Sequence, residues 1–394
     1  MRRVAVVTTG RADYGMYRPV LKLLQERPDV ELRIVAGGMH VSEAHGLTVR
    51  DLERDGFTIA ERVDFLEPLD TPEAVAVSAG RAHIGFARAY ARQRPDLLLT
   101  LGDRFEMHAA VAAAVPFCIP VAHIAGGDVT EGAMDDALRN AISKLAHVHF
   151  PLTEAAAERL RAMDEEAWRI TVSGAPSLDE AVRFTPIERH ALLASWGLDP
   201  SVRFVLVTYH PVTLEYTSTD AQVGELLAAL EPLDCALVFT APNADTSRDT
   251  IAREIGALAA RRRGVHVSPA LGQNHYFSAL AHADAMIGNS SSGLIEAATF
   301  QLPVVNIGDR QRGRLRPDNV IDVPCARAAI AEGVARARSA SFRRGLDGLA
   351  NPYGSGDGAR RIVDVLTTVE LSPRLLRKRA HAVVAPRITP AHMA

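Results

Sequence analysis

Cysteine is scarce in this 394-residue chain: Cys118, Cys235 and Cys325 are the only three, widely spaced and without a paired motif. That excludes a disulfide framework and a Cys-rich zinc site, and it fits a reducing compartment. No segment approaches the roughly 20 apolar residues of a membrane span, so neither a bilayer nor its surface is an expected partner. A formal net charge of -3 gives no electrostatic footprint for nucleic acid. The cluster Arg261-Arg262-Arg263 reads as a solvated helix end. The strand-like Val4 to Val7 stands where a leader would need a longer apolar core, so a cytoplasmic location is the expectation. With 47% hydrophobic and 23% charged residues the composition is that of a globular enzyme, and the length exceeds one ordinary core.

Short apolar runs alternate with helical patterns. Arg3 to Thr8, Val30 to Ala36, Leu97 to Leu101 and Ile119 to Ile124 read as buried parallel strands, with helices at Tyr17 to Gln25 and Glu106 to Val115. A second series runs through Phe204 to Thr208, Leu237 to Thr240, Val265 to Val267, Ala285 to Ile287 and Pro303 to Ile307. The fold class is therefore α/β, with two Rossmann-like domains and a cleft between them. Residues 1–178 form the expected first domain. Residues 179–371 form the second, which binds the nucleotide and has a last helix able to pack back on the first. Residues 372–394 read as a basic, mobile tail.

The unusual residues gather at the carboxyl ends of these strands, where open α/β sheets bind ligands. Gly10-Arg11-Ala-Asp13 follows the first strand, Gly102-Asp103-Arg104 follows Leu97 to Leu101, and Gly126-Gly127-Asp128 follows Ile119 to Ile124. In the second half His210-Pro211, Asn243-Ala-Asp245 and Gly288-Asn-Ser-Ser-Ser-Gly-Leu-Ile-Glu296 do the same. The last stretch joins small polar residues to an apolar run that should start a helix. Backbone N–H groups there and the helix dipole suit a phosphate, and Glu296, a turn and a half on, can accept from ribose hydroxyls. An ordinary N-capped core helix would look the same. Arg11, Arg104 and Arg310 suit a diphosphate through bidentate guanidinium contacts.

Asp103, held near the cleft after a buried strand and Gly102, is a candidate base whose proton affinity burial would raise; capping the next helix is the competing role. Asp128, Glu131, Asp135 and Asp136 form a second acidic cluster beside Gly126-Gly127, and like charges gathered together create an acid and a base. His210 is a candidate phosphate donor or proton shuttle. His123, His147, His149 and His210 lack the spacing of a zinc motif, so no metal is expected. Cys118, in apolar sequence, is a poor nucleophile.

Thr9-Gly-Arg-Ala-Asp-Tyr-Gly15, Gly102-Asp-Arg-Phe-Glu106, the run His123 to Asp135, Tyr209-His-Pro211 and Gly288-Asn-Ser-Ser-Ser-Gly293 together resemble the hydrolysing UDP-N-acetylglucosamine 2-epimerases. The resemblance spans roughly residues 3 to 370. It implies a glycosyltransferase-B-like fold and conversion of a nucleotide-linked 2-acetamido sugar to its free 2-epimer plus nucleotide diphosphate, through elimination to a glycal and hydration. By the same resemblance Arg11, Ala12, Arg104, His210, Asn243, Ser290, Ser291, Glu296 and Arg310 surround the nucleotide and diphosphate. Asp103 and Asp135 take acidic catalytic positions, no cofactor is needed, and a homodimer or homotetramer is expected. Many members of the sialic-acid branch carry Glu in the place of Ala125. Alanine transfers no proton, so Asp128 or Glu131 is the expected substitute. UDP-N-acetylglucosamine is the first substrate reading and UDP- or GDP-N,N'-diacetylbacillosamine the alternative, since Ala125 makes room for a bulkier C4 group. A non-hydrolysing epimerase, a glycosyltransferase of similar architecture and an idle nucleotide-sugar sensor are the competing classes.

Overall fold

The computed structural model describes residues 1–241, 245–268 and 271–379. Twelve strands build two sheets of six. The first sheet holds β1 (Arg2–Thr8), β2 (Val30–Gly37), β3 (Ile59–Val63), β4 (Leu97–Leu101), β5 (Val121–Ile124) and β6 (Val148–Phe150). The second holds β7 (Phe204–Thr208), β8 (Ala236–Thr240), β9 (Val265–Ser268), β10 (Met286–Gly288), β11 (Val304–Ile307) and β12 (Val320–Val323). Their orders, β3-β2-β1-β4-β5-β6 and β12-β11-β10-β7-β8-β9, are the same doubly wound order written in opposite directions, and every pairing is parallel. These are the two Rossmann-like domains that the alternating pattern predicts.

The central strands are buried on both faces, which is why they read as continuous apolar runs. Val4 to Val7, Leu97 to Leu99 and Phe204 to Val207 are all buried. The strands that the pattern does not show, β3, β6 and β12, lie at sheet edges, and β3 is largely half-buried with polar Glu61 and Arg62. Helix Arg11–Gln25 starts well before the predicted Tyr17, because Asp13 caps its own turn.

In each sheet the strand order reverses beside the first strand, between β1 and β4 and between β7 and β10. Neighbouring connections leave in opposite directions there and open a crevice at the carboxyl ends. Helix Gly358–Thr368 crosses back to pack on helix Arg11–Gln25, and the Arg2 guanidinium donates to Leu366 O and, at 2.8 Å, to Val369 O. The chain after it does not run free at once, contrary to the expected mobile tail from Ser372. Buried Arg169 donates to Leu375 O at 2.7 Å, Arg377 O at 3.0 Å and Arg374 O at 3.2 Å, and Lys378 meets Glu165 at 2.7 Å. Charged side chains with backbone carbonyls as partners hold residues 372–379 on the first sheet's domain. No helix among the described residues is long and apolar enough to cross a membrane.

Candidate active site

The turn after β1 is built by Asp13. Its carboxylate accepts from the Thr9 and Gly10 amides at 2.7 and 3.0 Å, and from the Thr8 and Thr9 hydroxyls at 2.9 and 3.1 Å. This sets Arg11 and Ala12 in the first turn of the helix, directly after the carboxyl end of β1. Ala12 is exposed and brings only its backbone N–H, one of the unpaired donors of a helix start. Burial lowers the Arg11 pKa while Asp51 acts the other way. Arg11, Arg104 and Arg248 all act on His45, whose pKa falls to about 4 through burial first and then these three charges. Arg248, which the sequence reading did not single out, thus joins two of the expected diphosphate arginines.

After β4, His123 fixes the loop. Its Nε2–H donates to Gly102 O at 2.7 Å, which leaves Nδ1 to accept from the Ser143 hydroxyl at 3.2 Å. Burial drives the His123 pKa down to about 3, so the ring is neutral. The adjoining Asp103, expected as a base whose proton affinity burial would raise, is instead partly exposed and paired with a cation. Its carboxylate, 22% exposed, is ion-paired to Arg139 on helix Asp135–Leu145, a guanidinium 1% exposed that also donates to Asp128 O at 2.9 Å and Thr130 Oγ1 at 3.1 Å. Nor does Asp103 cap the next helix. Arg104 reaches across the crevice to Asp245 at 2.8 Å and holds buried Glu106 at 2.9 Å. Burial works against the Arg104 charge, but Glu106, Asp245 and Asp135 outweigh it and raise its pKa.

In the second half the ends of β7 and β10 are pinned together. Asn289 Oδ1 accepts from the His210 amide and Asn289 Nδ2 donates to His210 O, both at 2.8 Å. Gly288 has φ +139, and a Cβ there would lie 1.9 Å from Thr208 O, so no other residue fits. Arg310 and Gln311 donate to Asn289 O at 3.1 and 2.9 Å, placing Arg310 against the serine turn. Ser290 and Ser291 are half-buried there, and the Ser292 amide donates to Ser290 Oγ at 3.3 Å. The helix expected from this turn is a single turn, Ser292–Ile295, followed by the 3-10 turn Ala297–Phe300. Only 15 residues separate β10 from β11, too few for a longer helix with its return. Glu296 accepts from the Ser177 hydroxyl at 2.8 Å, and burial raises its pKa. His210 is buried and neutral, its pKa lowered to about 3 by burial and then Arg310, with Asp245 acting oppositely.

The halves meet in one charged cluster. Asp135, 7% exposed, feels Asp245, Arg310 and Arg104; burial and then Asp245 raise its pKa to about 6, against the two arginines. Asp245, 3% exposed, goes the other way: burial would raise it, but Arg104 and Arg310 lower it. The sequence reading expected the partner of Asp135 among its chain neighbours. Instead it comes from the other sheet.

Those neighbours face elsewhere. Glu131 is exposed and pairs with exposed Arg312 at 3.1 Å, and its amide donates to Arg312 O at 3.1 Å. Asp128 is buried beside Arg314 at 3.5 Å; burial raises its pKa against Arg314 and Arg159. The reason is the loop's packing on the second half: a Cβ on Gly132 would lie 2.6 Å from Asp309 O, so the loop lies flat against residues 309–313 and its side chains turn sideways. Of the two carboxylates offered in place of a Glu at Ala125, Glu131 is thus at the surface, while Asp128 is buried with one carboxylate oxygen, Oδ2, that accepts no hydrogen bond among the described residues. Ala125 itself is buried with φ +64, its amide donating to Phe150 O at 3.0 Å. Asn243 lies outside the described residues.

Comparison with known proteins agrees with this architecture. Residues 22–367 match the family model described as UDP-N-acetylglucosamine 2-epimerase. The chain is 37% identical over 382 residues to a hydrolysing UDP-N,N'-diacetylbacillosamine 2-epimerase of Legionella pneumophila, covering 96% of this chain and 99% of that one. It is 33% identical over 324 residues to a hydrolysing GDP/UDP-N,N'-diacetylbacillosamine 2-epimerase of Campylobacter jejuni, with 82% and 84% covered. A UDP-N-acetylglucosamine 2-epimerase of Neisseria meningitidis is 29% identical over 321 residues, with 82% and 83% covered. Among solved structures, a Neisseria meningitidis UDP-GlcNAc 2-epimerase bound to UDP-GlcNAc superposes with a TM-score of 0.78 at 19% identity, covering 92% of this chain and 99% of that one. At that identity the likeness speaks for the fold.

Proposed function

The chain belongs to the UDP-N-acetylglucosamine 2-epimerase family, and from that premise we propose that it is a hydrolysing 2-epimerase acting on a UDP-linked 2-acetamido sugar. The observation that carries the reading is the contact across the crevice: Arg104 from the first half and Asp245 from the second meet at 2.8 Å, with Asp135, His210 and Arg310 around them. A site of this kind holds a diphosphate and moves protons beside it.

In the proposed mechanism Arg11, Arg104 and Arg310, with the N–H groups of Ser290 and Ser291, take up the charge that develops on the diphosphate as the C1–O bond breaks. Fixed donors in a water-poor site contribute most when charge appears in the transition state. Asp103 removes the C2 proton, and water adds to the resulting double bond. Neutral His210 donates to a phosphate oxygen, and Glu296 accepts from ribose.

For the sugar, the order given by the sequence is reversed. The two relatives at 37% and 33% identity are named for diacetamido sugars, and the one at 29% for UDP-N-acetylglucosamine. Small, buried Ala125 leaves space where the sialic-acid branch has Glu. A UDP-linked 2,4-diacetamido-trideoxy sugar is therefore the first reading. UDP-N-acetylglucosamine stands second, supported by the name of the family model.

The test is turnover of both nucleotide sugars, with phosphorus NMR for UDP release and carbon NMR for the sugar. Release of UDP with a free 2-epimer, at a kcat/KM at least about tenfold higher for the diacetamido sugar, is expected; discrimination by a pocket on one substituent is of this order. Interconversion of two nucleotide sugars with no free UDP would show a non-hydrolysing epimerase instead.

A further inference from the structure

We propose that Ser177, in the segment that joins the two halves, is a positioning residue for nucleotide binding: its hydroxyl holds the Glu296 carboxylate so that it receives both hydroxyls of a ribose. The proposal rests on the reading of Glu296 as the ribose acceptor given above.

The Ser177 hydroxyl serves no cap. Ser177 stands at the N-terminus of the short helix Leu178–Ala181, where a serine commonly accepts from an amide two or three residues on. Capping needs extended backbone at that position, and Ser177 has helical angles, φ -58 and ψ -25, with no cap bond. Thr71, Thr153 and Ser339, which are extended at the same position, do cap their helices. The Ser177 hydroxyl instead donates to Glu296 Oε1, 119 positions away, at 2.8 Å, and the residue is 2% exposed.

One returning stretch of chain fixes both ends of this bond. The Ala175 amide donates to Tyr353 O at 2.7 Å, and the Asp179 carboxylate accepts from the Gly358 and Ala359 amides at 2.8 and 2.9 Å, which holds Ser177 between two anchors. On the other side Asn351 Nδ2 donates to Ile295 O at 2.7 Å and to Thr299 Oγ1 at 2.8 Å, which holds the turn that carries Glu296. The separation of hydroxyl and carboxylate is therefore set by the fold.

A second hydroxyl faces the same carboxylate. Tyr276, on helix Gly272–His282, donates to Ser292 Oγ at 2.5 Å, which turns the Ser292 proton toward Glu296, one turn further along. A carboxylate has about four lone-pair sites. With Ser177 and Ser292 on two of them two remain, and a ribose diol supplies two O–H donors. A deoxyribose supplies one and leaves a buried acceptor unpaired, which is how a polar site rejects an analogue that lacks a hydroxyl. Without Ser177 the carboxylate turns about its last bond, and the match to two donors at once is lost.

The test uses the full-length protein, with UDP, 2′-deoxy-UDP and 3′-deoxy-UDP as ligands in calorimetry. Wild type is expected to bind UDP at least about tenfold more tightly than either deoxy analogue. Ser177→Ala is expected to bind UDP about tenfold more weakly and the analogues within about threefold of wild type, so the preference narrows. KM for the nucleotide sugar should rise with it, and kcat should change less. Ser177→Thr keeps the hydroxyl and should keep the preference. Ser177→Cys keeps the volume without a strong donor and should behave as Ser177→Ala, which separates the lost hydrogen bond from lost packing. Unchanged UDP binding by Ser177→Ala and Ser177→Cys, or an equal loss for all three ligands, overturns the proposal. Glu296→Gln distinguishes the two levels. If wild type and Glu296→Gln both treat the three ligands alike, the ribose reading fails and the proposal with it. If Glu296→Gln loses the preference and Ser177→Ala keeps it, only the role of Ser177 fails.

Discussion

Replacing Arg139 by leucine tests how the site is supported. The guanidinium is 1% exposed, ion-paired to Asp103, and donates to Asp128 O at 2.9 Å and Thr130 Oγ1 at 3.1 Å. Removing one partner of a buried ion pair commonly costs about 3–5 kcal/mol. Two features reduce that here. Asp103 is 22% exposed, so water recovers part of its solvation. Burial and the charges of Arg314, Arg310 and Arg159 already push the Arg139 pKa well down, so removing its charge relieves repulsion. A loss of about 1–3 kcal/mol is therefore expected, or roughly 3–10 °C in Tm by the usual scaling for domains of this size. Activity should fall further, by about a hundredfold or more, because a freed Asp103 no longer holds one position relative to C2. Thermal unfolding by circular dichroism and initial rates of UDP release measure the two effects. Wild-type kcat in the folded variant would refute the positioning argument. A Tm unchanged within a degree would refute the buried network.

Glu131→Ala should leave kcat/KM within about twofold and stability within about 1 kcal/mol, as for an exposed ion pair; a loss beyond tenfold would return Glu131 to the chemistry. The pH profile should carry a descending limb. Asp135 has a raised pKa of about 6, so its protonated form is lost as pH rises through that value. The limb of kcat/KM is expected near pH 6, the limb of kcat higher because bound diphosphate opposes deprotonation, and Asp245→Asn should move both down; a limb unmoved by that variant contradicts the assignment. Glu165 has the opposite sign. Although burial raises its pKa, hydrogen bonds from His149, Lys378 and Lys144 lower it to about 2, so its stabilisation is present above its ordinary range, near 4.5, and is lost as pH falls toward 2. Lys378→Met should weaken that stabilisation and shift acid unfolding to higher pH, followed by fluorescence; an unchanged acid midpoint would show that residues 372–379 add nothing.

Most of the fold was legible because parallel strands buried on both faces leave unbroken apolar runs, and because most crevice loops carry Gly, Arg, Asp or His within a few residues of such a run. The crevice residues Arg11, Arg104, His210 and Arg310 were legible for the same reason. What was not legible depends on which distant residues meet. Asp245 was visible as a polar residue after β8, but its meeting with Arg104 and Asp135 follows from two sheets facing one another, which local periodicity does not encode. Arg139 carried a weak signal, four residues after Asp135 and so one helical turn along the same face. Arg248 and Lys378 carried none, since a lone basic residue in a polar stretch is usually solvated. Closeness in sequence is not closeness in space: Glu131 pairs with Arg312 at the surface, and buried Asp128 lies beside Arg314.

Proton NMR of turnover in heavy water tests the central claim most directly, with the UDP-linked diacetamido sugar as substrate. One deuterium at C2 of the free, inverted sugar, appearing together with UDP, is the expected result. Free sugar that keeps hydrogen at C2 and its original configuration would contradict elimination and hydration across this crevice.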